Sequence, residues 1–129
     1  MGLRLAITGS GGYLAQQLIT RFGSESGVEF ILGLDIRPRK PPTACASNFL
    51  RFDLTAPWEQ LRDLFRQHGI NAGMHLAWQF NPIHDYQRHR QVDVGGSENF
   101  FRAAVEAGLK RVIYASSTNT TKLILDLSQ

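Results

Sequence analysis

Residues 3–15 decide the fold of this chain, and they read Leu3-Arg-Leu-Ala-Ile-Thr8 followed by Gly9-Ser-Gly-Gly-Tyr-Leu-Ala15. The first six residues form a short apolar run that ends in a glycine cluster, which predicts a buried strand. From residue 13 onward the apolar residues recur at helical spacing as far as Phe22, and Gly23 then ends the pattern. The chain is therefore predicted to open with a strand, a glycine-rich loop and a helix.

Strands and helices are predicted to keep alternating after this opening. The strands fall at residues 29–35, 48–53, 72–77 and 110–117. A helix with Pro57 in its first turn ends at Gly69, and a longer helix over residues 86–107 is closed by Gly108. This alternation predicts a parallel sheet with helices on both faces. Right-handed crossovers make the sheet doubly wound, with the strand order 3-2-1-4-5 of the Rossmann fold.

The glycine-rich loop has the small residues that a phosphate-binding turn needs. Gly9 permits the tight turn out of the strand, Gly12 lets the backbone approach a pyrophosphate, and Ala15 lets the helix pack closely on the sheet. The helix N-terminus offers free N–H donors and a partial positive charge to an anion. The spacing is Gly-x-x-Gly-x-x-Ala rather than Gly-x-Gly-x-x-Gly, and a simple tight turn is the alternative interpretation.

A carboxylate at the end of the second strand supports the same prediction. Asp35 follows the loop by about 20 residues, where a carboxylate accepts a hydrogen bond from a ribose 2′-OH. A 2′-phosphate would meet that negative charge, so NAD is favoured over NADP. Arg37 keeps the second cofactor open, because its guanidinium would pair with a 2′-phosphate.

Composition excludes several other classes of protein. The 129 residues are 43% hydrophobic and carry a net charge of +3, which is typical of one globular domain. The basic residues form only one small cluster, at residues 37–40, so we expect no nucleic-acid partner. No apolar run reaches ~18 residues, so no membrane span is expected. Cys45 is the single cysteine and excludes an internal disulfide, and the expected compartment is the cytosol.

With these motifs identified, the chain resembles the extended short-chain dehydrogenase/reductase family, the NAD-dependent epimerase/dehydratases, over nearly all of residues 3–117. The loop resembles the family's Thr-Gly-x-x-Gly-x-x-Gly, with Ala15 in the last place. Residues 93–99 resemble its Asn-Val-x-Gly-Thr-x-Asn, with Asp for the first Asn and Ser for Thr. Residues 112–117 resemble the strand that delivers the catalytic Ser or Thr, which makes Ser117 the catalytic position.

The resemblance also implies a set of cofactor-binding residues. They are Gly9, Gly11, Gly12, Tyr13, Leu14, Asp35, Ile36, Arg37, Asp53, Leu54, Leu76, Ala77 and Asn99. Asp53 and Leu54 match the pair beside the adenine, although Asp53 also suits a cap of the turn before Pro57. Asn99 also suits an ordinary helix surface, and Ser117 an ordinary strand end. For His75, in the strand that runs along the cofactor, we expect a hydrogen-bonded core residue rather than a catalyst.

The family's catalytic Tyr-x-x-x-Lys is not found in these 129 residues, because none of the tyrosines at 13, 86 and 114 has Lys four places later. We therefore interpret residues 1–117 as the NAD(P)-binding domain of a protein truncated after its fifth strand. Such a protein would act on a sugar nucleotide or similar alcohol when complete and is catalytically incomplete as written. The alternative is a non-enzymatic NAD(P)-sensing or interaction module. The atypical tail, residues 118–129, is expected to add a helix turn or strand, and residues 122–127 either fold back over the exposed sheet edge or leave it to a partner.

Overall fold

The computed structural model describes residues 2–76, 86–115 and 122–126, with side chains described for residues 2–76 and 95–113. The elements in chain order are β1 (Leu3–Thr8), α1 (Tyr13–Gly23), β2 (Val28–Asp35), β3 (Ala46–Arg51), α2 (Trp58–Gln67), β4 (Ala72–His75), α3 (Tyr86–Ala107), β5 (Arg111–Ala115) and β6 (Lys122–Asp126).

The strands form one sheet in the order β3-β2-β1-β4-β5-β6. The first five are parallel, as the alternation of strands and helices predicted, and β6 pairs antiparallel with β5. At the carboxyl end, Thr8 of β1 is level with Leu34 of β2 and with His75 of β4. The doubly wound order 3-2-1-4-5 is confirmed, and the carboxyl ends of the three central strands meet at one edge.

Two apolar layers cover the faces of the sheet, because a parallel sheet is buried on both sides. On one face α1 packs against β1, β2 and β4, and Ala15 there is 2% exposed, which confirms the close helix packing predicted for it. On the other face α2 and α3 pack together, and their fully buried Phe65 and Phe100 meet edge to face. Successive residues of β1 alternate between the two layers, with Ile7 in the first and Ala6 in the second.

The predicted boundaries need small corrections. The third strand covers Ala46–Arg51 rather than residues 48–53, because the chain turns at Asp53 before it enters α2. Pro57 precedes α2 as its cap residue, with the extended ψ of 135°, instead of lying in its first turn. The end of α3 was predicted correctly, and Gly108 follows it with a φ of 79°, a conformation that glycine adopts at little cost.

The tail was expected to form either a helix turn or a strand, and residues 122–126 form the strand β6. This strand pairs with the edge of β5 that the five parallel strands leave unpaired. Of the two expectations for residues 122–127, folding back over the sheet edge is therefore the one that residues 122–126 follow. Within the described ranges, no helix combines the length and the apolar character that crossing a bilayer requires.

Candidate functional site

The candidate site lies where the chain changes direction in the sheet. From β1 the chain passes to β2 on one side, and it later returns to β4 on the other side. The crevice outside the carboxyl ends of such strands is where open α/β sheets bind ligands. The loop of residues 9–12 leaves β1 at this point and leads directly into α1.

Internal packing explains two of the three glycines in this loop. Gly9 has a φ of 69°, which favours glycine, and its carbonyl accepts a 3.0 Å hydrogen bond from the Gly12 N–H. A Cβ on Gly11 would lie 2.5 Å from the carbonyl oxygen of Arg37, so the chain itself leaves no room there. A Cβ on Gly12 would meet only the Gly9 carbonyl oxygen, at an ordinary 3.4 Å. No described residue therefore requires glycine at position 12.

The N-terminus of α1 has backbone donors that the chain leaves open. Gly12 is the cap residue and makes no side-chain cap hydrogen bond, and the first turn contains no acidic residue. Among the described residues, the N–H groups of Tyr13, Leu14 and Ala15 have no acceptor. Open N–H groups and the partial positive charge of a helix N-terminus together suit an anion.

The carboxylate of Asp35 lies against the glycine loop. Its Oδ2 accepts a 2.7 Å hydrogen bond from the Gly11 N–H, and its Oδ1 accepts a 3.0 Å bond from the Arg37 N–H. The side chain thus joins the end of β2 to the loop after β1. Charge-assisted bonds of this kind are stronger than bonds between neutral groups. Asp35 therefore holds a negative charge in a defined position beside the open end of α1.

Large apolar side chains surround the loop without being buried by the chain. Tyr13 is 82% exposed, Leu14 57% and Ile36 49%. All three lie beside the glycine loop or directly after Asp35, and all three belong to the predicted cofactor set. Neighbouring exposed apolar side chains at one rim commonly mark a ligand or partner surface.

The turn at residues 53–56 follows β3 at the same edge of the sheet. Oδ1 of Asp53 accepts hydrogen bonds from the Thr55 N–H, at 2.9 Å, and from the Thr55 hydroxyl, at 2.7 Å. These bonds, the backbone one first, hold the pKa of the Asp53 carboxyl below its usual value. Asp53 therefore caps this turn through its Oδ1, as the alternative interpretation expected. Contact between Asp53 and an adenine stays a prediction.

Asn99 of α3 lies behind this turn. Its amide nitrogen donates to the carbonyl oxygens of Leu54, at 2.7 Å, and of Ala56, at 3.0 Å. The residue is half-buried, so it is not an ordinary surface residue of the helix. The amide protons that a cofactor contact would use are engaged with the turn, and contact between Asn99 and a cofactor stays a prediction.

His75 is a hydrogen-bonded core residue, as expected. It is 1% exposed and stacks on Phe100 with ring centroids 4.9 Å apart. Nδ1 lies 2.7 Å from the Thr8 hydroxyl, and Nε2 lies 3.0 Å from the Ser97 hydroxyl. The Thr8 hydroxyl oxygen also accepts a hydrogen bond from the Leu76 N–H, at 3.1 Å. Burial lowers the pKa of His75 to about 4, and the ring is neutral.

Comparison with known proteins identifies the family. The sequence profile of the NAD dependent epimerase/dehydratase family matches residues 5–121. The chain belongs to the NAD dependent epimerase/dehydratase family. A search of curated protein sequences gave no significant match.

Solved structures of this epimerase/dehydratase type share the fold. The chain is similar to a nucleoside-diphosphate-sugar epimerase from Agrobacterium tumefaciens, with 26% identity and a TM-score of 0.73 over 91% of this chain and 38% of that one. It is similar to the Bordetella bronchiseptica enzyme WbmG in complex with NAD and UDP, with 25% identity and a TM-score of 0.72 over 90% and 38%. A GalE-like L-threonine dehydrogenase from Cupriavidus necator, 20% identical, shares the fold with a TM-score of 0.75 over 88% and 37%. The chain thus spans less than half the length of each.

Most of the predicted site residues lie at one edge of the sheet, the edge formed by the carboxyl ends of its parallel strands. Leu76 lies there too, since its N–H donates to both the carbonyl oxygen and the hydroxyl of Thr8. Ala77 and the predicted catalytic Ser117 lie outside the described residues. The sequence reasoning missed Gln16, whose Nε2 donates to the carbonyl oxygens of Ser10, at 2.6 Å, and Arg39, at 3.2 Å. The one feature of the sequence that could have indicated Gln16 is that a polar residue occurs in the first turn of the helix after the glycine loop.

Proposed function

We propose that this chain binds NAD through the open N-terminus of α1 and Asp35, as the cofactor-binding part of an epimerase/dehydratase-type enzyme. The observation that carries the proposal is Gly12. A side chain there would meet nothing closer than 3.4 Å, yet it would extend from the cap of a helix whose first N–H donors are open. No contact within the chain requires glycine at position 12, but a Cβ there would obstruct a group that approaches the helix N-terminus. A glycine at this position therefore suits a pyrophosphate bound close to the backbone.

Asp35 is the residue that we propose for the adenosine ribose. Two backbone N–H groups hold its carboxylate, and each oxygen keeps a lone-pair direction for a ribose hydroxyl. A 2′-phosphate in the same place would repel this carboxylate, which favours NAD over NADP. Arg37 is exposed next to it and is the residue that NADP binding would use. The exposed side chains of Tyr13 and Ile36 would lose water contact when the cofactor covers this rim.

This chain spans less than half the length of the similar structures, so a reaction is proposed only for a whole protein of that length. Bound NAD+ supplies an acceptor for a hydride from an alcohol carbon. We propose a sugar nucleotide or a similar alcohol as the substrate, supported by two findings: the family itself, and a nucleoside-diphosphate-sugar epimerase among the similar structures. Ser117, by its resemblance to the family's strand end, would hold the substrate hydroxyl.

A second candidate is an NAD(P)-sensing module without turnover. Product analysis of uridine-diphosphate sugars incubated with NAD+ and the whole protein separates the two candidates. A changed sugar supports the enzyme, whereas cofactor binding with an unchanged sugar supports the sensor.

Calorimetric titration of NAD+, NADP+ and ADP-ribose tests cofactor binding. The variant is Gly12→Ala, with Gly27→Ala as its matched control, because a Cβ on Gly27 would meet nothing within 4 Å in the turn before β2. Gly12 has a φ of −74°, so alanine fits the backbone, and the entropy gain of about 0.4–1 kcal/mol offsets the poorer cap.

We therefore expect Gly12→Ala to melt like wild type and to bind NAD+ at least tenfold more weakly, and Gly27→Ala to bind normally. Folded wild-type protein that gives no heat with either dinucleotide contradicts the proposal. Undiminished NAD+ binding by Gly12→Ala contradicts the position that we assign to the pyrophosphate.

A further inference from the structure

The strand β3 is the outermost strand on one side of the sheet. Just after it, the N–H of Phe52 donates to the carbonyl oxygen of Asp35, at 3.0 Å, which shows which residues of β3 bond to β2. In a parallel ladder the N–H and C=O of one residue point to the same side, and the side alternates from residue to residue. The residues whose backbone groups point away from the sheet are therefore Ser47, Phe49 and Arg51.

The outward backbone groups of β3 have no partner in the part of the chain that the structure describes. There, β3 pairs with β2 alone, and neither Ser47 nor Phe49 makes a backbone hydrogen bond on the outer side. A row of unpaired N–H and C=O groups along a strand is a template for a further strand. Two residues of β3 thus offer two donors and two acceptors to an extended chain.

A cavity of about 280 Å³ lies beside this open edge. It is lined by residues of β3 and of the connection from β2, namely Pro38, Lys40, Ser47, Asn48 and Phe49. The connection, residues 36–45, packs along α1: the carbonyl oxygen of Arg39 accepts from Gln16, and a Cβ on Gly23 would overlap the side chain of Thr43. The cavity therefore has a fixed wall and can receive a side chain of a strand added to β3.

Positive charge is concentrated at the same edge. Residues 36–51 have no acidic side chain and four basic ones, all exposed: Arg37, Arg39, Lys40 and Arg51. The whole chain has 14 Lys and Arg against 11 Asp and Glu, so the remaining residues have one more acidic side chain than basic ones. Lys40 forms no salt bridge with a carboxylate whose side chain the structure describes. A strand bound here would thus meet an ammonium group that is open to a carboxylate.

We propose that β3 binds an extended acidic segment of a partner protein, which adds to the sheet as a further strand and directs a carboxylate at Lys40. The backbone groups of Ser47 and Phe49 give the pairing, and the four basic side chains select an acidic sequence. A second copy of this chain would bring two such positive edges together, and like charges on neighbouring strands repel. The inference does not depend on the proposed NAD binding.

The first experiment measures the charge selection. The probe is a fluorescent peptide with capped ends, Glu-Val-Glu-Val-Glu-Val, and its control is Lys-Val-Lys-Val-Lys-Val. Titrated with the full chain and followed by anisotropy, the acidic peptide should bind saturably and the basic one should not. Lys40→Glu should weaken binding by about fivefold, because an attractive pair becomes a repulsive one. Lys110→Glu, the same change at an exposed residue beside β5, should bind like wild type.

The second experiment tests the backbone pairing. Ser47→Pro removes an N–H that points away from β2, and edge strands tolerate proline at such positions. Circular dichroism melting should therefore stay close to wild type, whereas peptide binding should be lost. The matched control is Ser47→Ala, which removes the hydroxyl but keeps the N–H and should bind the peptide normally. Attraction between charges alone would treat the two variants alike.

Amide hydrogen exchange in the wild-type protein, resolved by residue, reports the same pairing without a mutation. Bound peptide should slow exchange at Ser47 and Phe49 by about tenfold, since each N–H gains an acceptor. Asn48 and Leu50 should change much less, because their N–H groups already bond to β2. This alternation along β3 is the result that a change in overall stability cannot produce.

An acidic peptide that does not bind overturns the inference, and so does binding that Ser47→Pro retains. If Ser47→Pro does not fold, the exchange pattern of the wild type decides the question. Protection of Ser47 and Phe49 that rises with protein concentration in the absence of peptide would assign the edge to a second copy and also overturn the inference. None of these outcomes bears on NAD binding, which the dinucleotide titrations measure separately.

Discussion

Of the residues whose side chains the structure describes, His75 is the one that we expect to destabilise the protein between pH 7.5 and pH 4.5. The imidazole lies between β4 and α3, 1% exposed, and it stacks on the buried Phe100. The neutral ring has a hydroxyl partner at each nitrogen, Thr8 at Nδ1 and Ser97 at Nε2. A second ring proton would place a charge where water does not reach, so the folded protein resists protonation.

The size of the effect follows from the two pKa values. Burial lowers the pKa of His75 from 6.5 to about 4, so between these pH values the unfolded chain binds a proton that the folded chain does not. The stabilisation is complete above about pH 6.5 and is lost as the pH falls toward 4. The shift of about 2.5 pKa units is equivalent to about 3 kcal/mol, most of which is lost by pH 4.5.

The Asp53 carboxyl acts in the same direction but at lower pH. The hydrogen bonds from Thr55 hold its pKa below its usual value, so the stabilisation it contributes is lost only as the pH falls below about 4. The two pH ranges are separate. The contribution of His75 to the slope of stability between pH 6.5 and 4.5 is therefore the difference between wild type and a variant without this histidine.

Urea unfolding at half-unit pH steps measures this slope in wild type and in His75→Gln. The glutamine amide does not titrate and has both a donor and an acceptor for the two hydroxyls. We expect His75→Gln to be less stable at pH 7.5 but nearly flat between pH 6.5 and 4.5. His68→Gln, at the end of α2, is the control for the same replacement elsewhere in the chain, and its slope is compared with that of His75→Gln. A flat wild-type profile, or an equal slope in His75→Gln, would refute the reasoning.

Three further predictions concern the loop and the core. Asp35→Asn replaces one of the two oxygens that accept from the N–H groups of Gly11 and Arg37, so the free energy of unfolding should fall by about 1–3 kcal/mol in a urea titration. An unchanged free energy of unfolding would show that these two hydrogen bonds do not stabilise the fold. Gly11→Ala places a Cβ 2.5 Å from the Arg37 carbonyl oxygen and should lower both stability, by about 1–3 kcal/mol, and NAD+ affinity, whereas Gly12→Ala lowers affinity alone. Phe100→Ala empties a fully buried position and should cost about 3–5 kcal/mol by the same assay, and a cost under about 1 kcal/mol would show that the core collapses around it.

Part of the site could be predicted because its signals are local. The glycine loop between a strand and a helix has its meaning from neighbours in sequence, and Asp35 is recognised by its distance from that loop. The strand order was predictable too, since short right-handed crossovers leave few alternatives. His75 was correctly expected to be a bonded core residue, because it interrupts an apolar strand.

The rest of the site could not be predicted, because its contacts join distant parts of the chain. No spacing rule relates Asn99 to the carbonyl oxygens of Leu54 and Ala56, or Gln16 to Arg39. The sequence likewise named Gly11 without a reason, and only the position of the Arg37 carbonyl oxygen supplies one.

By itself, the sequence determined the elements from β1 to β5, the order of those five strands, and which edge of the sheet has the glycines and the carboxylate. Periodicity and backbone chemistry act over a few residues, so these properties can be derived from neighbours along the chain. Only the tertiary structure decided that Asp35 clasps Gly11 and that α3 holds the turn at residues 53–56. Such hydrogen bonds require side chains and backbone groups to meet within about 3 Å, and packing, rather than sequence separation, determines which groups meet.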